Sequence, residues 1–324
     1  MNVLSLFDGI STGRYCLEKA GIPVEHYYAS EIDESAIKIS EKNYPDIIRL
    51  GDVTKIHAAD LAPIDLIIGG SPCQGFSKAG AGLNFEDPRS KLFFEYVRLL
   101  NEIREYNPDV HFLLENVVMR TEYEDIISEY MGITPYKINS RYFSAQHRER
   151  LYWTNIPVDI FGVEIRDNFI GDKLIDVLDT SYVPNIIYEA NGVLFGPGVS
   201  ANGKNLVRKV DGEIQVKQAT KQGYIVANVG DGLSLEFPGS RTRRGRVIPG
   251  KSHTLTVSGR PLVLDTHNII RQFTTLERER LQKLPDGYTE CPGVTDAQRN
   301  KALGNGWTAS VITYLFTGLR RVLL

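Results

Sequence analysis

The chain of 324 residues contains 42% hydrophobic residues and has a formal net charge of −3. This length and apolar content suffice for one large domain, or for a large and a small domain. The near-neutral charge excludes a uniformly basic protein, so any nucleic-acid surface requires local segregation of charge. Three widely spaced cysteines, Cys16, Cys73 and Cys291, fit neither a disulfide framework nor a zinc site, and they favour a reducing cytoplasm.

The first part of the chain alternates between strand and helix patterns. Strands are predicted at Val3–Phe7, His26–Ser30, Ile47–Leu50, Ile64–Ile68 and Val110–Leu114. Helices are predicted at Thr12–Ala20, Ser35–Asn43 and Ser90–Tyr106. This order predicts an α/β fold with a doubly wound, mostly parallel sheet that binds its ligands at the carboxyl ends of the strands.

The residue pattern changes after about residue 177. From there to about residue 265 the sequence consists of short β-like segments rich in Gly, Asn and Pro. Helical patterns return at Thr275–Lys283 and Thr308–Leu319. We therefore predict a first domain made of residues 1–176 and 266–324, and a smaller β-rich domain over residues 177–265. No apolar run reaches the ~20 residues of a membrane span, and the N-terminal residues do not resemble a signal peptide.

Acidic residues and glycines follow the first three predicted strands. The glycine-containing turn Phe7-Asp-Gly-Ile-Ser-Thr-Gly13 follows the first strand, Glu31 and Asp33 the second, and Asp52 the third. Carboxylates at such positions can accept hydrogen bonds from ribose hydroxyls or from the amine of adenine. Each feature alone is equally consistent with a tight turn or a helix cap. Together they predict a pocket for a cofactor that carries adenosine.

A nucleophile and an acid follow the next two strands. Ser71-Pro-Cys-Gln-Gly75 places the thiol of Cys73 at the same edge, and Glu115 ends the neighbouring strand. A cysteine beside a carboxylate can act as nucleophile and acid, although a cysteine is often an inert part of the core. Arg148 and Arg150 alternate along one side of a probable strand, which suits a role in lowering a thiol pKa or binding a carbonyl oxygen.

In order and spacing, these segments resemble the motifs of the C5-cytosine DNA methyltransferases over nearly the whole chain. The matching segments are Phe7-Asp-Gly with Thr12-Gly13, Gly70-Ser-Pro-Cys-Gln74, Glu115-Asn-Val117, Gln146-His-Arg-Glu-Arg150, Arg271–Asp286 and Gly304-Asn-Gly306. The first motif departs from the commoner Phe-x-Gly-x-Gly form, because Ile10-Ser11-Thr12 surround one glycine. Ile32 stands where many relatives carry an aromatic residue that stacks on adenine.

The resemblance implies a DNA (cytosine-5-)-methyltransferase that uses S-adenosylmethionine, with roles for particular residues. It implies that Cys73 adds to C6 of a flipped cytosine, that Glu115 engages the ring, and that Arg148 and Arg150 orient base and carboxylate. The implied cofactor contacts are Phe7, Asp8, Gly9, Ile10, Thr12, Gly13, Glu31, Ile32, Asp52, Val53, Pro72, Leu92 and Asn305. No metal is implied.

The resemblance also places target recognition in the small domain and makes double-stranded DNA the partner. Between Lys204 and Arg260, eleven basic residues stand against four acidic ones. The predicted DNA contacts are Ser77, Gln146, Arg241, Arg243, Arg244 and Arg246. The basic run is alternatively a solvated surface, and the glycine-rich stretch 77–82 is either a closing loop or an ordinary flexible loop. Thr254-Leu-Thr256 resembles the segment that closes the recognition region.

Three rival functions stay open on the sequence alone. A relative that methylates transfer RNA would share the chemistry, and a binding module would share the fold but would not need Cys73, Glu115 and both arginines. A nicotinamide dehydrogenase fits poorly, because the first turn lacks three-glycine spacing. We expect a monomer in the cytoplasm of a bacterial or phage-infected bacterial cell, with a cognate restriction endonuclease as a candidate partner.

Overall fold

The computed structural model describes residues 1–71, 88–159 and 171–323 and contains the predicted alternation of strands and helices. The strands are β1 (Asn2–Leu6), β2 (His26–Ser30), β3 (Ile48–Arg49), β4 (Leu66–Gly69), β5 (His111–Val117), β6 (Tyr136–Asn139), β7 (Glu149–Thr154), β8 (Tyr188–Ala190), β9 (Val193–Phe195), β10 (Val207–Val210), β11 (Glu213–Lys217), β12 (Tyr224–Ala227), β13 (Gly232–Ser234), β14 (Arg246–Ile248), β15 (Leu262–Leu264) and β16 (Ile269–Gln272). The helices are α1 (Thr12–Lys19), α2 (Glu34–Asn43), α3 (Pro88–Tyr106), α4 (Thr121–Met131), α5 (Leu174–Val177), α6 (Ala201–Lys204), α7 (Thr275–Leu281), α8 (Asp296–Asn305) and α9 (Ala309–Leu323).

The large sheet has the strand order β3-β2-β1-β4-β5-β7-β6. Neighbours from β3 to β5 are parallel, whereas β7 runs antiparallel to both β5 and β6. The prediction of a doubly wound, mostly parallel sheet is therefore confirmed. The strand order reverses at β1, which has β2 on one side and β4 on the other, and ligands bind at such a switch point in open α/β sheets.

Both faces of this sheet are buried by helices. Alternate residues of β1 point to opposite faces, so Val3 packs with residues of α1, α2 and α9, while Leu4 packs with residues of α3 and α4. Burial on both faces explains why the central strands contain almost continuous apolar residues. Strand β5 extends to Val117, beyond the predicted end at Leu114, because β7 supplies hydrogen-bonding partners as far as Arg150.

The small domain contains a three-stranded sheet, β10-β11-β12, and a six-stranded sheet, β14-β13-β15-β16-β9-β8. Buried side chains from both sheets form its core, among them Phe195, Val216 and Leu264. The six-stranded sheet continues past residue 265, where the sequence predicts the end of the small domain, because β16 belongs to this sheet and ends at Gln272. The polar residues 265–268, which suggested a boundary, form the turn between β15 and β16.

A buried ion-pair network joins β16 to the start of α7. The guanidinium of Arg271 lies 2.6 Å from Asp265 and 2.8 Å from Glu277, and all three side chains are at most 2% exposed. Glu277 is also part of the capping box of α7, because its carboxylate accepts a hydrogen bond from the backbone N–H of Thr274. The small sheet and the returning helix of the large domain therefore share one network.

We predict that Arg271→Met lowers the free energy of unfolding by about 3–5 kcal/mol, because it leaves two buried carboxylates without their counter-charge. The control is Lys137→Met. Lys137 pairs with Glu149 at 3.7 Å, and both side chains are exposed; loss of such an exposed pair costs about 1 kcal/mol or less. Urea unfolding measures both variants, and similar losses in the two would contradict the assignment of Arg271 to a structural network.

Candidate cofactor and catalytic site

A cavity of about 420 Å³ lies at the carboxyl edge of the large sheet. Its wall includes most of the residues that the sequence assigned to the cofactor, namely Phe7, Asp8, Gly9, Ile10, Thr12, Glu31, Ile32, Asp52, Val53, Leu92 and Asn305. Glu115, Arg148 and Arg150 line the same cavity. Eleven of the predicted cofactor residues thus lie in one cavity with Glu115, Arg148 and Arg150, because successive parallel strands place the loops that follow them at one edge of the sheet.

The turn after β1 has an unusual backbone. Phe7, Gly9 and Ser11 have φ values of 57°, 60° and 58°, a left-handed conformation that costs a residue with a side chain about 1–2 kcal/mol. The carboxylate of Asp8 accepts hydrogen bonds from the hydroxyls of Ser11 at 2.5 Å, Ser5 at 2.6 Å and Tyr27 at 2.8 Å. Burial raises the pKa of Asp8, while the hydroxyl donors oppose this rise. The buried Asp8 carboxylate therefore stabilises the backbone conformation of the turn through hydrogen bonds.

Gly13 was predicted to contact the cofactor, but it does not line the cavity. A β-carbon at this position would lie 2.5 Å from Cδ1 of Ile68 and 2.9 Å from the hydroxyl oxygen of Tyr27. The absence of a side chain at residue 13 allows α1 to approach the sheet closely. A requirement for close packing of α1 against the sheet therefore accounts for the glycine at this position of the motif.

Glu31 and Asp52 face the cavity from the loops after β2 and β3. The carboxylate of Glu31 accepts hydrogen bonds from the backbone N–H groups of Gly9, Ile32 and Asp33, each at 2.8 Å, so it joins the first two loops of the site. Asp52 accepts hydrogen bonds from the backbone and hydroxyl of Thr54, which lower its pKa. The side chain of Ile32 is 74% exposed and offers an apolar surface at the rim.

The carboxylate of Glu115 contacts two side chains. Glu115 on β5 pairs with Tyr152 on β7, which makes Arg150 its diagonal neighbour on the same face of the sheet. Nε of Arg150 lies 2.9 Å from Oε1 of Glu115, and Nε1 of Trp307 donates to Oε2 at 3.2 Å. Sequence reasoning identified Glu115 and Arg150 but missed Trp307, whose only signal was its position directly after the Gly304–Gly306 motif.

Arg148 is 2% exposed and donates hydrogen bonds to main-chain carbonyl groups. Its guanidinium bonds the carbonyl of Leu255 at 2.7 Å and that of Gly306 at 2.9 Å, with a longer bond of 3.4 Å to that of Gly304. These carbonyls belong to the small domain and to the segment that carries Asn305. Arg148 therefore fixes the cavity wall as a positioning residue.

Pro72, Cys73 and Ser77 lie outside the residues that the structure describes, as does the predicted closing loop 77–82. The described chain reaches Ser71, which is buried and lines the cavity. The side-chain amide of Asn116 donates to the Ser71 hydroxyl oxygen at 3.2 Å. The chain that leads to Cys73 therefore starts from a fixed point beside Glu115.

The predicted DNA-contacting residues differ in their surroundings. Arg241, Arg243 and Arg246 are exposed, and the guanidinium of Arg243 lies 4.4 Å from the ring centre of Phe237. Arg244 is half-buried and donates to the carbonyl of Gln218 at 3.1 Å. Three of these arginines therefore have side chains open to solvent.

Gln146, predicted to contact DNA, has no exposed surface in this structure. Its side-chain oxygen accepts a hydrogen bond from the backbone of Leu255 at 2.9 Å, and its amide donates to Gln282 at 3.2 Å. The placement does not fit a DNA contact, because both ends of the amide are used within the protein. Gln146 links the two domains.

A second interdomain contact, which the sequence did not reveal, is made by Lys251. Its ammonium nitrogen lies 2.7–3.1 Å from the carbonyl oxygens of Arg141, Ser144, Gly171 and Asp172, which share its three N–H donors. Burial lowers the pKa of Lys251. This lysine belongs to the basic small domain by sequence, yet its charge is used to hold the domains together.

Among the described residues, no cluster of three or more His, Cys, Asp or Glu side chains could bind a metal ion. In the same ranges, no helix has the length and apolar character needed to cross a membrane.

The strand order, the loops of the cavity and the Glu115 cluster define a methyltransferase fold of the S-adenosylmethionine-dependent type. The family model of C-5 cytosine-specific DNA methylases matches residues 1–321, and the chain belongs to this family. S. pombe Dnmt2 methyltransferase has a similar structure, with a TM-score of 0.65 and 19% identity over 100% of this chain and 99% of that one.

Two relatives show closer sequence similarity over part of the chain. Orphan methyltransferase M.SPRI of Bacillus phage SPR is 36% identical over 177 residues, which are 51% of this chain and 39% of the phage protein. Type II methyltransferase M.NgoBV of Neisseria gonorrhoeae is 39% identical over 118 residues, which are 35% of this chain and 27% of that protein. The matched segments thus span less than half the length of either relative.

We predict that Glu31→Ala weakens binding of S-adenosylhomocysteine by roughly ten- to a hundredfold, the cost of losing hydrogen bonds to a charged acceptor. The carboxylate faces the cavity and also fixes the N–H of Gly9. Glu34→Ala is the matched control, because Glu34 is exposed and does not line the cavity. Titration calorimetry compares the two, and unchanged affinity in the Glu31 variant would remove Glu31 from the site.

Proposed function

We propose that the protein transfers a methyl group from S-adenosylmethionine to C5 of a cytosine in a specific DNA sequence. The observation that carries the proposal is the position of Glu115. Its carboxylate, held by Arg150 and Trp307, lies on the wall of the same cavity as Glu31 and Asp52. An adenosine-binding edge and an acid for a heterocyclic base therefore meet in one cavity, in a chain of the C-5 cytosine-specific family.

The residues of the cavity suit S-adenosylmethionine. Glu31 and Asp52 provide carboxylate acceptors for hydroxyl or amine donors, and Ile32, Val53 and Leu92 provide apolar surface for an adenine ring. A β-carbon at Gly9 would meet no atom within 4 Å, so the backbone of the first turn is open to a ligand. When bound, the cofactor supplies a methyl group on an electrophilic sulfonium sulfur.

The reaction requires activation of the pyrimidine, because C5 of cytosine is a weak nucleophile. In our proposal the thiolate of Cys73 adds to C6 and forms a carbon–sulfur bond, while Glu115 engages N3 and stabilises the charge that develops on the ring. The electron pair then available at C5 forms the new carbon–carbon bond to the methyl group, while the sulfur–methyl bond of the cofactor breaks and its electron pair stays on the sulfur. A water molecule acting as base then takes up the C5 proton, the C5–C6 double bond re-forms, and the carbon–sulfur bond to Cys73 breaks to return the thiolate.

Glu115 is only 8% exposed, and a base paired within a duplex would not reach it. We therefore propose that the target cytosine is flipped out of the helix into the cavity. In this proposal Arg150, on β7, holds Glu115 in place for the flipped base through an ion pair. Arg148 fixes the carbonyl groups on either side of Asn305. Base flipping accounts for a site in which the acid is buried and yet lines an open cavity.

We assign target recognition to the small domain. Its exposed arginines Arg241, Arg243 and Arg246 can bind phosphates or a guanine edge. The type II name of the Neisseria relative suggests that the present protein acts beside a restriction endonuclease that shares its target. We propose the cytoplasm of a bacterial or phage-infected cell as its location.

We predict that DNA with 5-fluorocytosine at the methylated site becomes covalently attached to Cys73 in the presence of S-adenosylmethionine. Fluorine cannot leave C5 as a cation, so the adduct cannot be resolved. Bisulfite sequencing of a plasmid from expressing cells first identifies the site, and mass spectrometry then locates the adduct.

In that assay Cys73→Ser should form little or no adduct, because a hydroxyl is a much weaker nucleophile than a thiolate. The control is Cys291→Ser, which should trap DNA as the unaltered protein does. Cys291 is partly exposed, so the change tests whether any accessible cysteine can form the adduct. An adduct on Cys16 or Cys291 would overturn the assignment of the nucleophile. Methylation of transfer RNA but not DNA in a parallel assay would replace DNA as the substrate.

We also predict that DNA affinity falls steeply with salt, and that Arg241→Gln with Arg243→Gln flattens this dependence. Each phosphate contact contributes about 0.9 to the slope of log K against log salt, so two contacts contribute about 1.8. Arg320→Gln with Arg321→Gln is the matched control, since both residues are exposed on α9. Fluorescence anisotropy measures the slopes, and equal slopes in both double variants would make the basic run a solvated surface.

A further inference from the structure

Trp307 is a hydrogen-bond donor to the carboxylate of Glu115. Its indole N–H donates to Oε2 at 3.2 Å, while Nε of Arg150 forms an ion pair with Oε1 at 2.9 Å. The two partners come from chain segments far apart in sequence, one on β7 and the other just before α9. Each oxygen of the carboxylate therefore contacts a different part of the fold.

Two glycines lie close to the indole ring. A β-carbon at Gly70 would lie 3.0 Å from Oε2 of Glu115 and 3.1 Å from Nε1 of Trp307. A β-carbon at Gly13 would lie 3.5 Å from the far edge of the same ring. The hydrogen bond therefore runs close to the backbone of Gly70, where a side chain would crowd both of its partners.

We propose that Trp307 is a positioning residue for methyl transfer, which holds the Glu115 carboxylate at the angle needed to engage the cytosine ring. This inference rests on the proposed function. A single partner would leave the carboxylate free to rotate about its last bond, whereas a hydrogen bond on one oxygen and an ion pair on the other limit that rotation. A fixed acceptor accelerates a reaction because it needs no reorganisation when charge develops on the substrate.

A purely structural explanation competes with this proposal. A half-buried indole N–H generally requires an acceptor, and Glu115 would serve only to satisfy it. In that case, loss of the N–H would affect stability but not turnover. The chain contains a suitable comparison in its second tryptophan, Trp153, which is fully buried and donates to the hydroxyl oxygen of Ser128 at 2.9 Å.

The first experiment compares the kinetics of Trp307→Phe and Trp153→Phe. Each change keeps an aromatic ring and removes one indole N–H. We expect Trp307→Phe to lower kcat about tenfold, which corresponds to the smallest contribution usual for a hydrogen bond to a charged group. The KM values should change less than about twofold. We expect Trp153→Phe to keep kcat within about twofold. Equal kcat values in the two variants would contradict the proposal.

The second experiment detects the contact without any turnover. The chain has two tryptophans, so Trp153→Phe leaves Trp307 as the only one and its fluorescence reports on Glu115. Adding Glu115→Gln in this background should change the emission intensity and lifetime, because the charged acceptor is replaced by a neutral amide. Glu122→Gln, a change at an exposed residue of α4, is the matched control and should leave both unchanged. Identical emission in the two double variants would contradict the contact.

The two experiments separate this inference from the proposed function. If the unaltered protein methylates no cytosine, both the function and the role of Trp307 in it are wrong, while the fluorescence still reports whether the contact exists. If the unaltered protein is active and Trp307→Phe is equally active, only the positioning role is wrong.

Discussion

The guanidinium of Arg148 holds together the three parts of the chain that meet at the site. Arg148 directly precedes β7 in the chain. Its guanidinium donates hydrogen bonds to carbonyls of the small domain and of the end of α8. Carbonyls at the end of a helix have no partner within the helix and carry partial negative charge. An arginine that keeps its charge at any ordinary pH is a suitable partner for them. The placement of Asn305 and Trp307 on the cavity wall depends on these bonds.

Much of this arrangement could be predicted from the sequence. Strand β2 lies at the predicted residues, and the acids after β2 and β3 face one cavity, because parallel strands place their carboxyl ends together. The contact between Glu115 and Arg150 was harder to predict, since it depends on the register of β5 with β7. The Trp307 contact and the four carbonyls around Lys251 were beyond prediction, because no local pattern indicates which distant backbone a side chain will reach.

Gly13 and Gln146 do not lie where the sequence predicted a ligand contact, whereas Asp8 lies on the cavity wall as predicted and also bonds the turn. All three residues belong to motifs that surround the site, and each is constrained for a different reason. Gly13 allows a helix to approach a sheet, Gln146 joins two domains, and Asp8 stabilises a left-handed turn. A motif shows that a position is constrained, whereas only the structure shows whether the constraint is a ligand, a neighbour or the backbone.

The parallel pairing of β9 with β16 has a consequence for how the small domain can be replaced. Ile269 and Ile270 lie beside Leu194 and Phe195, so the segments near the start and the end of the small domain are adjacent in space. An inserted unit with adjacent ends can be removed or replaced without stretching the host domain. We therefore expect that replacing this unit with the corresponding segment of a related protein requires β16 to be replaced with it.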